Sequence, residues 1–262
     1  MTERDLYLYE RRGAEYLPSA LCFGPWSART QNGAMVAALV AQALDSVPTR
    51  MPMIPMDFHL TILKPVPFGP LTVNVRVVRE GQKLQVLQGS LLAGSTEVAL
   101  ATLVKLRDAP EIAPAQNIAA HAERLPDTLE RSPASHAYFE TVDCRVLRGG
   151  FNALRPGAVW MRMCARIVAG SDNAALGALA LYADAGSGLG TLVPRTEWSY
   201  PNVTLALRCH RNMVGEWVLI DSTMHTQGHG VAQIQSTLSD LSSCFGQAHQ
   251  SVILEPTPAQ GA

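Results

Sequence analysis

The stretch NGAMVAALVAQALD, residues 32–45, carries alanine, valine, leucine or methionine on every face of the helix that it predicts. A helix that is apolar all round is buried inside a protein. Asn32 is a candidate N-cap for this helix, and Gly33 lets the chain turn into it. A second stretch of the same kind, DNAALGALALYADA at residues 172–185, predicts a second buried helix that Asp172 could cap. Two such helices need a large sheet surface to cover them.

Short apolar or alternating segments follow both helices and predict β-strands. The clearest alternation is in LTVNVRVVREG, where valines share one face and polar side chains the other. The turns REGQK and AGSTE predict hairpins. The predicted strands of the first half are 5–12, 14–19, 56–65, 71–81, 84–94 and 97–107; those of the second half are 145–150, 158–168, 203–211, 215–227, 230–240 and 244–256.

The same order of elements therefore occurs twice, on either side of a proline-punctuated stretch at residues 108–133. We predict an α+β fold of two tandem units, residues 1–110 and 141–262, joined by a linker at 111–140 that could hold a short helix. In each unit a long central helix is wrapped by a curved antiparallel sheet of four or five strands. The small residues of the helices allow the sheet to approach closely.

Composition excludes several classes of protein. The 262 residues include 22 acidic and 21 basic side chains without basic clusters, which argues against nucleic-acid binding. The start MTERDLYLYE does not resemble a secretory signal, and no apolar run reaches the length of a membrane span. Five widely spaced cysteines indicate reduced thiols and a cytoplasmic location. His225 and His229 lack the partners of a zinc site, so no metal is predicted.

Six blocks of the sequence carry a resemblance to a known family. The first half contributes GPWSARTQNGAMVAALVAQAL and MDFHLTILKPVPFGPLTVNVRVVREGQ. The second half contributes LYADA, PNVTLALRCHR, GEWVLIDSTMHTQGHG and GQAHQSVIL. In this order the blocks resemble the acyl-CoA thioesterase II-like family of the thioesterase-like superfamily. The resemblance implies a double hotdog fold and the hydrolysis of acyl-CoA to a free acid and CoA. It also implies no cofactor.

The resemblance further implies an active site in the second unit, where an acid, a hydroxyl and a glutamine hold one water molecule. The acid falls on Asp184 in LYADA, and the glutamine falls on Gln250. The hydroxyl position falls on Asn202, which departs from the family, while Thr204 is close enough to be the alternative. Asn can still donate and accept hydrogen bonds.

Thioester hydrolysis needs a placed water, a base for its proton and donors for the developing oxyanion. Asp184 is the candidate base, which Gln250 and Asn202 would help by fixing the water. Free N–H groups at the start of either predicted helix are candidate oxyanion donors, and we expect Asn32, Gly33 and Thr204 to contact substrate.

The first helix holds no acid except Asp45 at its end, and by the internal repeat the position of Gln250 corresponds roughly to Thr102. We therefore expect the first unit to act as scaffold and acyl-pocket wall.

Two alternatives remain open at this stage. One is a non-catalytic protein that binds acyl-CoA or lipid, which the departure at Asn202 favours. The other is an acyl-CoA hydratase or dehydratase, although neither helix carries the paired acid and histidine that such chemistry needs. Because an unpaired edge strand tends to associate, a homodimer or higher homo-oligomer is expected.

Overall fold

The computed structural model describes residues 6–109, 125–132 and 136–257. Most of the predicted linker lies outside the described residues, and its described part includes a short helix at residues 137–140. The helices are α1 (Gly33–Asp45), α2 (Ala137–Glu140), α3 (Ala175–Asp184) and α4 (Gly186–Leu189). The strands are β1 (Tyr7–Arg12), β2 (Glu15–Pro18), β3 (Met53–Ile62), β4 (Leu71–Glu80), β5 (Leu84–Ala93), β6 (Thr96–Arg107), β7 (Val142–Arg148), β8 (Gly157–Met163), β9 (Arg166–Val168), β10 (Trp198–Ser199), β11 (Asn202–Cys209), β12 (Val218–Thr226), β13 (Val231–Ser239), β14 (Cys244–Ile253) and β15 (Glu255–Pro256).

Thirteen of these strands form one sheet in the order β7-β8-β12-β13-β14-β11-β3-β6-β5-β4-β2-β1-β9. The two halves meet where β11 pairs antiparallel with β3, so the two predicted sheets are continuous. β8 and β9 lie near opposite ends of this order, yet only Cys164 and Ala165 separate them in the chain. Three peptide units reach about 11 Å at most. The sheet must therefore curl until its two ends come close together.

α1 and α3 pack against each other in antiparallel orientation on the inner side of this sheet. The start of α1 at Gly33 lies beside Asp184 at the end of α3, and Gln42 near the end of α1 lies beside Ala174. Every residue from Ala34 to Ala41 is buried, as the apolar sequence predicts. A methyl group on Gly177 would lie 2.5 Å from Ile167 Cδ1 on β9 and 3.3 Å from the Ala38 carbonyl oxygen on α1, so glycine lets α3 pack closely against both.

The start of the second helix differs from the prediction. α3 begins at Ala175, and Asp172 is an exposed residue that pairs with Arg166. The cap comes instead from the first half: Gln42 Oε1 accepts from the Ala174 N–H at 2.6 Å, and Gln42 Nε2 donates to the Asp172 carbonyl at 2.9 Å. Gln42, which is distant in sequence, thus makes the hydrogen bonds at the start of α3 that were expected of Asp172.

The predicted strand at 158–168 is also divided into two. β8 pairs with β7 and β12, whereas β9 pairs in parallel with β1 at the other end of the sheet. Continuous apolar character could not show this break because both pieces are largely buried.

The described end of the predicted linker packs onto the second helix. α2 buries Tyr138, whose hydroxyl donates to the Leu181 carbonyl at 3.2 Å. Among the described residues, no helix is both long and apolar enough to cross a membrane.

Candidate active site

Asp184 is the last residue of α3, and its side chain reaches the first turn of α1. A methyl group built on Gly33 would lie only 3.3 Å from Asp184 Oδ1. Negative charge at the C-terminal end of its own helix is unfavourable, but the N-terminal end of a helix attracts it. The antiparallel packing of α1 and α3 therefore explains why a carboxylate can occupy this position.

Asn202, the first residue of β11, binds this carboxyl group directly. Its Nδ2 donates to Asp184 Oδ1 at 2.5 Å. Burial raises the pKa of Asp184 to about 7, and the hydrogen bond from Asn202 offsets part of that rise. A carboxyl group with this pKa can change its protonation state near neutral pH, which suits a general acid or base.

Gln250, on β14, lies beneath the end of α3 and is 1% exposed. Its Nε2 donates to the main-chain carbonyl of Asp184 at 3.1 Å, not to the carboxylate. The structure thus brings Asp184, Asn202 and Gln250 together, with Asn202 contacting the acid itself and Gln250 the backbone behind it.

Two side-chain oxygens beside Asp184 are buried without a partner. Across the described residues, three buried side-chain atoms have no hydrogen bond, and two of them are Asn202 Oδ1 and Gln250 Oε1. Buried acceptors of this kind are uncommon and call for an explanation such as a bound water. Their concentration around one acid indicates a polar site rather than packing alone.

Gly186 allows these groups to approach the helix end, and its role was not foreseen from the sequence. A methyl group there would lie 2.7 Å from Ser236 Oγ, 3.0 Å from Gln250 Oε1 and 3.1 Å from Ser222 Oγ. The two serine hydroxyls are themselves buried and 2.7 Å apart. The only sequence signal is the run of glycines in GSGLG after Asp184, and no local pattern in it predicts this close contact.

A cavity of about 800 Å³ opens onto Asp184 and Asn202. Its walls are mostly apolar or aromatic and come from both halves of the chain. The lining side chains that matter here are Trp26, Val36, Ile62, Tyr138, Phe139 and Phe151. Phe139 packs edge-on against Phe151 with ring centroids 4.8 Å apart. Such a cavity suits an apolar acyl group next to the acid.

The predicted substrate contacts divide into two groups. Asn32 and Gly33 line this cavity, whereas Thr204 does not. An irregularity in β11 between Asn202 and Thr204 changes the strand register, and Thr204 Oγ1 accepts from the Ser251 N–H at 3.2 Å. The structure therefore supports Asn202, not Thr204, as the polar residue that faces the acid.

The start of α1, and not that of α3, reaches the cavity. Asn32 Oδ1 accepts from the Ala34 N–H at 3.0 Å, while the Gly33 N–H has no partner among the described residues. At α3 the Ala174 N–H is already taken by Gln42. Of the two helix starts considered from the sequence, α1 is the one with a free donor next to Asp184.

Two further expectations concern the first half. Asp45 ends α1, far along the helix from Gly33, and pairs with the buried Lys105 at 3.3 Å. Thr102 is exposed on β6, whereas Gln250 is buried on β14. Ala101 pairs with Leu60 and Gln250 pairs with Leu205, so the register makes Ala101 the counterpart of Gln250. The rough correspondence with Thr102 is displaced by one residue, which puts Thr102 on the opposite face of its strand. Within the described ranges, no group of three or more His, Cys, Asp or Glu could hold a metal ion.

Several solved structures share this fold. A protein from Alicyclobacillus acidocaldarius, described as having a hot dog fold and unknown function, superposes with a TM-score of 0.72 at 16% identity, covering 96% of each chain. An acyl-CoA thioesterase II, TesB2, from Mycobacterium marinum gives 0.68 at 17% identity, covering 95% of this chain and 96% of that one. A tesB protein from Mycobacterium avium subspecies paratuberculosis gives 0.67 at 15% identity, covering 95% and 96%. The fold is accordingly of the hotdog class.

The family follows from the sequence models. The acyl-CoA thioesterase N-terminal domain matches residues 23–106, and the acyl-CoA thioesterase C-terminal domain matches residues 110–254. The chain belongs to the acyl-CoA thioesterase family and is a thioester hydrolase. No curated protein sequence matches it significantly. Neither the hydratase nor the non-catalytic alternative has comparable support.

Proposed function

We propose that this thioesterase hydrolyses acyl-CoA with Asp184 as the general base. The observation that carries the proposal is the Asp184 carboxyl group, which has a pKa of about 7 and faces the cavity beside the start of α1 at Gly33. In its ionised form it would take a proton from water as the water attacks the thioester carbonyl carbon. Removal of that proton makes water a competent nucleophile at neutral pH.

Asn202 and Gln250 would position the water and the base. Nδ2 of Asn202 fixes one carboxylate oxygen of Asp184. Asn202 Oδ1 and Gln250 Oε1, which lack a partner among the described residues, are acceptors to which a water near the carboxylate could donate. The bond from Gln250 Nε2 to the main chain holds the end of α3 in place. This assignment lets an amide at position 202 serve where the family has a hydroxyl.

The start of α1 would stabilise the tetrahedral intermediate. A free N–H at a helix N-terminus donates to negative charge and gains from the helix dipole. The Gly33 N–H would donate to the oxyanion that forms as water adds to the carbonyl. Collapse of this intermediate breaks the carbon–sulfur bond, and the proton held by Asp184 passes to the departing thiolate. The products are a carboxylic acid and CoA.

The proposal includes the division of the chain into two units. We take the chain as two tandem hotdog units, residues 1–110 and 141–262 with a linker at 111–140, each curved around one central helix. The first unit then supplies Gly33 and part of the pocket wall, and the second supplies Asp184. A cytoplasmic location and a homo-oligomeric state remain part of this proposal.

Steady-state hydrolysis of a panel of acyl-CoA esters tests the role of Asp184. Asp184→Asn keeps the shape of the side chain but removes its basicity, so kcat/KM should fall about a thousandfold. Asp172→Asn is the matched control, because it removes the same charge from an exposed acid near the other end of α3. Its activity should match that of the wild type.

The same panel separates the rival functions. Turnover by Asp184→Asn equal to that of the wild type would remove Asp184 from the mechanism without removing hydrolysis. CoA-ester binding without turnover of any chain length by the wild type would point to a binding protein instead.

A further inference from the structure

We infer that Arg195 and Lys64 form a subsite in the same cavity for the phosphates of the CoA leaving group. Both side chains line the cavity that opens onto Asp184. The inference rests on the proposed function, since it assigns the part of the substrate on the thiol side of the bond that Asp184 hydrolyses.

Arg195 is a half-buried cation held in place without a carboxylate. Its guanidinium lies 5.3 Å from the centre of the Trp26 ring, and its Nη2 donates to the Pro25 carbonyl at 3.3 Å. Within the described residues no carboxylate lies within 4.0 Å of it, although Glu197 is only two residues away. The other donors of the guanidinium remain available, and two parallel N–H groups fit a phosphate well.

Lys64 is the second cation of the cavity. It lies two residues after Ile62, whose Cδ1 would be 3.7 Å from a methyl group built on Gly33, and it is exposed at the surface. Its ammonium has no carboxylate within 4.0 Å in the described part of the chain. A flexible, solvated lysine beside an oriented arginine can follow an anion that is partly in water.

The other charges of the cavity complete the argument. Among the described residues that line it, Asp184 is the only one with a carboxylate. His136 also lines the cavity, but burial and then the nearby charge of Arg195 lower its pKa, which disfavours its charged form. The cavity therefore offers two unpaired cations and an apolar wall next to one acid. An acyl-CoA presents the complementary pattern, with an apolar acyl chain, a central thioester and a nucleotide that carries several phosphate charges.

Two thioesters of one acyl group test the subsite, one on CoA and one on pantetheine, which lacks the nucleotide phosphates. Wild-type protein should show a KM for the CoA ester at least about tenfold lower than for the pantetheine ester. Arg195→Gln and Lys64→Gln should each raise the KM of the CoA ester about three- to tenfold, with kcat nearly unchanged. Neither variant should alter the KM of the pantetheine ester.

Arg79→Gln is the matched control, since Arg79 is an exposed arginine on β4 outside the cavity and its loss changes net charge equally. It should leave both esters unaffected. Added salt should raise the KM of the wild type for the CoA ester and should affect Arg195→Gln less, because ions screen charge attraction.

Equal KM values of the wild type for the two esters would overturn the subsite while leaving hydrolysis intact. Equal damage to both esters by Arg195→Gln, with Lys64→Gln silent, would show a structural role for Arg195 and would also overturn it. Calorimetric binding of CoA and pantetheine gives the same comparison without turnover. If the wild type binds CoA more tightly than pantetheine but hydrolyses neither ester, the result would support the subsite and contradict the proposed function.

Discussion

At the scale of single residues, the position of Asp184 combines two opposing effects. Burial in the cavity wall disfavours its charged form, whereas the start of α1 and the amide of Asn202 favour it. The balance leaves the pKa at about 7, near the working pH of a cell. A carboxylate kept fully in water would be a much weaker base, and one buried without these partners would stay protonated.

The raised pKa of Asp184 predicts a pH-dependent cost in stability. The folded protein holds this proton up to about pH 7, while the unfolded chain releases it near the ordinary value of 3.8. The stability that the folded state gains by holding this proton is thus fully present below about pH 4 and is lost as pH rises towards 7. The asparagine of Asp184→Asn has no carboxyl proton to lose, so the variant should be more stable than the wild type at pH 8 by about 2 to 4 kcal/mol.

Urea unfolding of both proteins at pH 8 and at pH 4.5 measures this difference. The difference in the free energy of unfolding should shrink strongly at the lower pH. The contributions of all other titrating groups are the same in the two proteins and cancel. A difference that is the same at both values would mean that Asp184 has an ordinary pKa in the folded state.

Asn202 should control the pH at which the enzyme becomes active. Its hydrogen bond lowers the pKa of Asp184, so Asn202→Ala should move the acidic limb of the kcat/KM profile to higher pH. Activity at pH 7 should fall about tenfold or more through loss of a bond to a charged group. Asn202→Thr restores a donor and should return the limb towards that of the wild type. A profile of Asn202→Ala that keeps its midpoint would contradict the contact.

Which residues form the site could be predicted only in part. Asp184, Gln250 and Asn202 were predicted as site residues because their blocks resemble a family, and they lie together in the structure. Gly186 could not be found, because a close contact between a glycine and buried serines on distant strands leaves no local pattern. Thr204 was misplaced for a similar reason, since a strand irregularity that changes which residues face the cavity has no fixed sequence signal.

At the scale of elements, the apolar character of α1 and α3 was predictable, but the cap of α3 was not. Helix capping normally uses a side chain next to the first turn, so Asp172 was the natural candidate. Gln42 replaces it from across the helix pair, with one bond to each side of the α3 start. Single-sequence reasoning sees only local neighbours, and this neighbour is 130 residues away.

The two candidate caps predict opposite results for a pair of alanine variants. Gln42→Ala removes a buried acceptor and donor, so the free energy of unfolding should fall by about 1 to 2 kcal/mol. Asp172→Ala changes an exposed side chain outside the helix, and the effect should stay within about 0.5 kcal/mol. Urea unfolding at one pH measures both. A larger effect for Asp172→Ala would restore the local cap and contradict the role of Gln42.

At the scale of the whole molecule, the two sequence repeats do not form two independent bodies. β3 and β11 join the halves in the middle of one sheet, and α1 and α3 bury each other inside it. The order of elements in the sequence predicts two tandem units. It does not predict that one sheet joins the two halves, because the pairing of one strand with another depends on contacts far apart in the chain.

The candidate active site depends on this fusion, which leads to the last prediction. Gly33 comes from the first half and Asp184 from the second, and they meet only where the helices cross. Separate expression of residues 1–110 and 111–262 leaves a helix uncovered and a central strand unpaired in each piece, so neither should fold or hydrolyse acyl-CoA alone.

Co-expression of the two pieces should restore hydrolysis, since the contacts between them need no covalent link. Asp184→Asn in the second piece should abolish the restored activity, which ties it to the reassembled site. A folded and active second piece in the absence of the first would show that Gly33 and the first half are dispensable, and would require another donor for the oxyanion.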